Sequence, residues 1–228
     1  DMGAYEYMNG DDTGGEKNTI FYVNLMSSAE TPDGLTWGTA FPTIQQAVAR
    51  ATGYGTEIWV AEGTYTATTG TEVVLLKQGA RLFGGFAGTE TTREDRNWDR
   101  HPTIIDGQQE RRCLTAESGF PVDGFILQNG HAEKGGGIAY GAAQHCIFRN
   151  NSVSGQGGGM YFGTAVDCTF FGNSASEGGA VYEGISFRCA FAENTAVTGG
   201  AIWGNDAFDS SFVGNRASYD GGAIYMGD

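Results

Sequence analysis

The C-terminal half of this sequence repeats about every 21 to 22 residues, and this period constrains the fold more than any other feature. Four Phe-x-x-Asn units recur in register, with asparagines that step by 22, 21 and 21 residues: Phe148 with Asn151, Phe170 with Asn173, Phe191 with Asn194, and Phe212 with Asn215. A glycine pair and an aliphatic residue follow each unit. A short, glycine-punctuated repeat of fixed period is typical of a solenoid, in which each unit buries its apolar face against its neighbours.

The composition of the repeat favours a β-solenoid over a helical one. The units are rich in Gly, Phe and small residues, and they are too short for a pair of helices with loops. The pattern therefore predicts an all-β fold, a single-stranded right-handed parallel β-helix with one coil per repeat. Equivalent side chains of successive coils then lie about 4.8 Å apart. Asn151, Asn173, Asn194 and Asn215 are expected to form a ladder of amide hydrogen bonds at one corner, while the glycine pairs supply the backbone geometry of another.

Strand alternation assigns the neighbouring columns to the inside or the outside of the coils. Each repeat phenylalanine lies on the same side of its strand as the residue two positions before it. These earlier residues form a second column, and both columns are expected inside: Cys146, Cys168, Cys189 and Ser210. The residues just before that column face out and are expected to form solvated ion pairs: His145, Asp167, Arg188 and Asp209. Four cysteines in such a chain could form disulfides, a metal site or buried thiols. In-register parallel strands suit disulfides poorly and no Cys-x-x-Cys pair occurs, so buried thiols are predicted, with no metal site and no cofactor.

A second outward column is aromatic. The residues that follow the aliphatic member of each glycine motif are Ala139, Tyr161, Tyr182, Trp203 and Tyr225. Tyr161, Tyr182, Trp203 and Tyr225, here called the aromatic strip, are expected to stack along the coil axis. The rings then either cover the sheet as cross-strand pairs or form a contact surface for a glycan or a protein.

The first half of the chain is less repetitive. Residues 19–24 alternate like a strand, and further strand-like runs precede and follow a charged loop at 92–101. Ile44, Ala47, Val48 and Ala51 have the spacing of a one-faced helix, which is a natural plug for the open end of a β-helix. Residues 1–18 are interpreted as the tail of a preceding module with a linker, and 19–228 as a β-helix module truncated at its C-terminal end.

Charge and hydropathy restrict the partners. The net charge of −14 disfavours nucleic acid and anionic membrane surfaces, which would repel the chain. No run of 18 apolar residues exists, so no membrane insertion by this segment is predicted.

The motifs resemble those of the polymorphic outer-membrane proteins and related right-handed β-helix surface proteins of bacteria, which share the pectin-lyase-like fold. The likeness rests on the Phe-x-x-Asn and Gly-Gly-Ala-Ile repeats and on the segments 33–41, 57–65, 82–90 and 103–107. The opening residues 1–7 are similar to a sequence that often closes such a module. The resemblance implies a secreted or cell-surface protein with structural or adhesive roles, no defined active site, and further modules in the same polypeptide. A host or cell-surface protein and a glycan are the partners it suggests.

Two functions follow as alternatives. The first is a non-catalytic surface module that binds through its lateral face, with no catalytic residues. The second is a carbohydrate-active enzyme, a polysaccharide lyase or glycoside hydrolase, which needs a base beside the sugar and usually an Asp cluster that holds Ca²⁺. The best enzymatic candidates lie in and near the charged loop: Arg93, Glu94, Asp95, Arg96, Asp99, His101 and Asp106. A salt-bridged loop is the favoured interpretation of that stretch. Residues 9–12 could touch a cation but lack a calcium-loop motif.

Overall fold

The computed structural model describes residues 19–51, 55–76, 79–116 and 121–226. Within them the chain forms a right-handed parallel β-helix of about seven turns, as the repeat predicts. The largest sheet has eleven strands. They are β1 (Ile20–Val23), β2 (Thr56–Ala61), β4 (Glu72–Leu76), β5 (Ala80–Phe86), β7 (Arg112–Ala116), β8 (Pro121–Asp123), β11 (Ile138–Gln144), β14 (Met160–Val166), β16 (Val181–Phe187), β19 (Ile202–Phe208) and β22 (Ile224–Tyr225).

The other faces carry shorter strands. The second sheet has seven strands. They are β3 (Gly63–Tyr65), β6 (Thr103–Asp106), β9 (Phe125–Gln128), β12 (Ile147–Arg149), β15 (Thr169–Phe171), β17 (Ala190–Ala192) and β20 (Ser211–Val213). Two strand pairs line the third face: β10 (His131–Lys134) with β13 (Ser152–Gln156), and β18 (Thr195–Thr198) with β21 (Arg216–Asp220). Residues 1–18, which the sequence analysis interprets as the tail of a preceding module with a linker, lie outside the described residues. The stretch 9–12, which could touch a cation, lies within residues 1–18.

The asparagines meet at the corner after the second sheet. The Nδ2 atom of Asn173 donates to Asn194 Oδ1 at 2.9 Å and to the carbonyl oxygen of Phe148 at 3.0 Å. The Oδ1 atom of Asn173 accepts from the backbone nitrogen of Asn151 at 3.1 Å, and Asn215 ends the same series beyond Asn194. Asn151, Asn173 and Asn194 are fully buried, so these bonds satisfy polar groups that water does not reach.

Glycine sets the next corner. In each of the five C-terminal coils one glycine has a positive φ, as Gly178 does at 61°. The glycine after it lies against the next coil: a Cβ on Gly179 would meet the carbonyl oxygen of Gly200 at 2.2 Å. The pair therefore combines a left-handed turn with a close backbone approach, and neither position tolerates a side chain.

The interior is a continuous apolar column. Phe148, Phe170 and Phe191 are buried and stacked, with centroids 4.6 and 5.0 Å apart, and Phe212 packs against them half-buried in the last coil. The N-terminal end is covered by α1 (Ile44–Arg50), which begins at the cap Thr43 and buries Ile44, Ala47 and Val48 against the first coils. No helix of the described ranges is long and apolar enough to cross a membrane.

Candidate functional site

The aromatic strip stacks along the outer face of the large sheet. Tyr161 and Tyr182 lie 5.6 Å apart at 18°, Tyr182 and Trp203 4.6 Å apart at 11°, and Trp203 and Tyr225 6.2 Å apart at 36°. Rings stacked in this way cover one another's faces, and Tyr161 and Tyr182 are only 9% and 8% exposed. The strip therefore offers little ring-face area to solvent over these two coils. Its role as a contact surface stays a prediction.

Two exposed rings lie beside the strip, at the positions that follow it in the first two of these coils. Tyr140 is 54% exposed and Phe162 is 38% exposed. Both residues have left-handed backbone conformations, with φ of 58° and 51°, which are unusual for bulky side chains and cost about 1–3 kcal/mol each. Glu183 and Gly204 occupy the equivalent positions of the next coils, also at positive φ. The chain thus holds two aromatic residues at strained positions where a glycine would be relaxed.

The geometry of these two rings differs from that of the strip. Their planes are nearly parallel, at 20°, with centroids 6.5 Å apart. Both planes are nearly perpendicular to the ring of Tyr161, at 78° for Tyr140 and 83° for Phe162. Because Tyr161 lies across the coil axis, the planes of Tyr140 and Phe162 run along it. These two exposed rings are here called the aromatic platform.

A cation contacts Tyr161, the ring that Tyr140 and Phe162 both meet edge to face. The Nζ atom of Lys134 donates to the Tyr161 hydroxyl at 3.4 Å and lies 5.0 Å from the centroid of the same ring. Ala139 lies opposite Tyr161 in the preceding coil, where an aromatic residue would continue the strip. The face of Tyr161 toward that coil therefore has no stacked partner ring. Lys134 covers that face through a cation–π contact.

Another polar cluster joins the charged loop to the coils. Arg96 Nη2 pairs with Asp123 Oδ2 at 2.7 Å, and both side chains are about nine-tenths buried. His145 Nδ1 lies 3.0 Å from Asp123 Oδ1, and the imidazole stacks on Trp98 with centroids 4.7 Å apart. Burial opposes ionisation of Asp123, but the hydrogen bond from His145 and the charge of Arg96 outweigh it and lower its pKa. The carboxylate accepts, so the Nδ1 atom of His145 carries the proton.

The residues that the sequence suggests as enzymatic candidates make separate contacts in the structure. Arg93 pairs with Glu57 at 2.7 Å, and Asp95 forms a capping box with Thr92. His101 pairs with Glu62 at 3.2 Å. Glu94 lies 3.7 Å from Arg93, and Arg96 binds Asp123. Asp106 accepts hydrogen bonds from Gln128 and Asn129. Asp99 lines a cleft of about 190 Å³ beside Trp98. The loop therefore has the salt-bridged character expected of it, with arginines that pin it to the sheet.

The outward charged column is paired only in part. Arg188 binds Asp167 through two hydrogen bonds of 2.8 and 2.6 Å, as the alternating signs predict. His145 instead faces Asp123 of the preceding coil, and Asp209 is exposed in the last coil. These four residues all have positive φ near 50°, so they mark a turn.

The cysteines are free and buried, in agreement with the prediction of buried thiols. Cys168 Sγ donates to the carbonyl oxygens of Ala143 and Val166, and burial raises its pKa well above the usual range. Across the described part of the chain, no three His, Cys, Asp or Glu residues lie close enough to hold a metal ion.

The repeat pattern did not point to the platform or to Lys134. Simple alternation sends positions 140 and 162 inward, and only the aromatic doublet Tyr161–Phe162 hints that the strand is interrupted there. The Arg96–Asp123–His145 cluster joins residues that are far apart in sequence, and no local motif marks it.

Comparison with known proteins identifies a family. No curated protein and no solved structure matches the chain. A family model described as "Periplasmic copper-binding protein (NosD)" matches residues 65–228, which is well over half of the sequence. Membership of the polymorphic outer-membrane protein repeats, which the motifs resemble, is not confirmed. The chain belongs to the NosD family.

Proposed function

We propose that this chain is a non-catalytic, extracytoplasmic β-helix module that binds carbohydrate on its lateral face. The observation that carries the proposal is the aromatic platform: Tyr140 and Phe162 keep exposed rings in a backbone conformation that costs stability. Strain of this kind persists where the surrounding structure enforces it, and it concentrates at binding sites. Aromatic ring faces are surfaces on which the C–H faces of sugars pack.

The size of the platform favours a sugar over a protein. A stable protein interface buries about 800 Å² on each partner around central anchors in pockets. Two neighbouring rings with centroids 6.5 Å apart offer far less apolar surface, but they match one or two pyranose rings. The strip extends the same face with hydroxyl groups and ring edges, which can add hydrogen bonds to a longer chain of sugars.

The description of the family raises copper as a ligand, and the residues do not fit it. The histidines sit apart: His101 with Glu62, His131 with Ser152 and His145 with Asp123. The three adjacent cysteines of the repeat are buried, and each thiol donates to a backbone carbonyl oxygen, whereas copper binds thiolates. Copper binding by the described residues is therefore not part of the proposal.

The proposal also covers where the protein acts and what its glycan binding does in the cell. The family description places its members in the periplasm, and the motifs resemble those of surface-displayed proteins. Either location exposes the platform to cell-envelope or extracellular glycans. Attachment to a cell surface through such a glycan is the adhesive role that we propose.

Binding to an oligosaccharide array tests this function. We expect the native chain to bind a subset of glycans and the double variant Y140A/F162A to lose that binding. The matched control is F171A/Y219A, which removes one Phe and one Tyr that are 41% and 80% exposed elsewhere on the coils. A native chain that binds no glycan, or a control that loses binding equally, would overturn the proposal.

A further inference from the structure

The cation beside the platform distinguishes this site from the rest of the molecule. Lys134 is the one lysine among the described residues, and no carboxylate within that part of the chain pairs with it. Its ammonium group has three donors, and Tyr161 accepts from one of them. The other donors are free to bind a ligand that lies on Tyr140 and Phe162.

Arg112 holds the backbone of Lys134 in place. Its Nε atom donates to the carbonyl oxygen of Gly135 at 2.9 Å, and its Nη2 atom donates to that of Lys134 at 2.8 Å. A third bond runs from Nη1 to Thr115 Oγ1 at 3.0 Å. The guanidinium is thus occupied by the coil and acts as a positioning group, while the ammonium of Lys134 is the group left for a ligand.

The coils beyond this cation carry acidic side chains. The chain has a net charge of −14, and Glu177 and Glu183 lie on the Tyr182 side of the strip, close enough to act on that ring. A polyanion would gain one contact at Lys134 and meet repulsion along the rest of the face. A ligand with a single carboxylate gains the same contact without that repulsion.

We propose that the ligand of the platform is an oligosaccharide with one acidic sugar, whose carboxylate binds Lys134 while its ring lies on Tyr140 and Phe162. This inference rests on the proposed function and adds the class of saccharide. Lys134 sets the preference for an acidic sugar, and the aromatic platform supplies contacts that neutral and acidic sugars share.

Titration calorimetry with matched oligosaccharides tests the inference. Three probes of equal length are compared: a neutral oligosaccharide, the same chain with one uronic acid, and its uronate methyl ester. We expect the uronate to bind about tenfold more tightly than the neutral chain, because charge-assisted hydrogen bonds are roughly twice as strong as neutral ones. The ester should bind like the neutral chain. This comparison uses the native protein and does not depend on the folding of any variant.

Variants then locate the effect. K134Q should remove the preference, so that the uronate, its methyl ester and the neutral chain bind with equal affinity. R216Q, which removes an exposed positive charge from the last strand of the third face, should keep the preference.

Equal affinity for the uronate and its ester overturns the inference and leaves the proposed function standing. Tighter binding of a polyuronate than of the single uronate also overturns it. Failure of the native chain to bind any of the probes or any glycan on the array overturns both.

Discussion

The outer face of the large sheet is covered over the N-terminal coils and open over the C-terminal ones. In the first coils, Trp59 and Phe86 stack with centroids 4.8 Å apart, and Trp37 from the 24–41 loop packs on Phe86. Arg93 and Arg96 of the charged loop lie over the ring of Phe83. From β11 onward, the outward rings of the strip contact mainly one another.

The difference shows what decides whether an outward aromatic residue becomes core. Trp59 and Phe83 are each 3% exposed because two loops cover them, and Tyr182 is 8% exposed because its neighbours in the ladder cover it. Tyr140 and Phe162 have neither kind of cover. Beside the strip, the two exposed rings of Tyr140 and Phe162 turn out of the ladder, and both residues have a left-handed backbone.

The largest effect is expected in the covered half, from D123A. The substitution leaves the buried guanidinium of Arg96 without its partner, and loss of one member of a buried pair costs about 3–5 kcal/mol. Urea unfolding measures the change. The control is D167A on the open half, whose pair with Arg188 is 31% and 40% exposed, and which should cost about 0–1 kcal/mol. Equal losses would show that the loop does not depend on the buried pair.

Acid provides a second test of the same pair. The folded state lowers the pKa of Asp123, so its contribution to stability is present above the pKa of the unfolded chain, near 4, and is lost as the pH falls through the folded value. We expect unfolding free energy to fall with pH below about 4 more steeply in the native chain than in D123N. Parallel profiles would contradict the assignment.

The asparagine ladder should show a smaller effect that depends on position. N173A removes the amide oxygen that accepts from Asn151 and the amide nitrogen that donates to Phe148 and Asn194. We expect the free energy of unfolding to fall by about 2–3 kcal/mol. N215A, in the less buried last rung, should cost about 1 kcal/mol because water replaces the lost partners. Thermal or urea unfolding distinguishes the two, and a costlier N215A would contradict a ladder stabilised by burial.

The smallest effect on stability is expected at the platform. F162G removes the strain of the left-handed position, whereas F162A keeps most of it, so the glycine variant should be about 1 kcal/mol more stable than the alanine variant. Both should lose glycan binding. Gly204 provides the matched control, because G204A in the equivalent conformation should be destabilised by a similar amount. An alanine variant as stable as the glycine variant would remove the argument from strain.

Sequence reasoning succeeded where the structure is periodic. The 21 to 22 residue step is enough to place Asn173 against Asn194 and Phe170 against Phe191, because equivalent residues of successive coils must be neighbours. It could not place Tyr140 and Phe162, because a single left-handed residue breaks the alternation that the prediction assumes. It also could not join Arg96 to Asp123, since a loop that folds back over a sheet leaves no period in the sequence.

The most direct test of the account is NMR of the native chain with labelled Phe, Tyr, Trp and His side chains, titrated with a glycan that it binds. The account predicts that the ring signals of Tyr140 and Phe162, assigned from the Y140A and F162A spectra, shift as the sugar is added. The indole signal of Trp98, beside the cleft in the covered half, should stay unchanged. Shifts at Trp98 and His145 without shifts at the platform would contradict the claim that the aromatic platform is the binding surface.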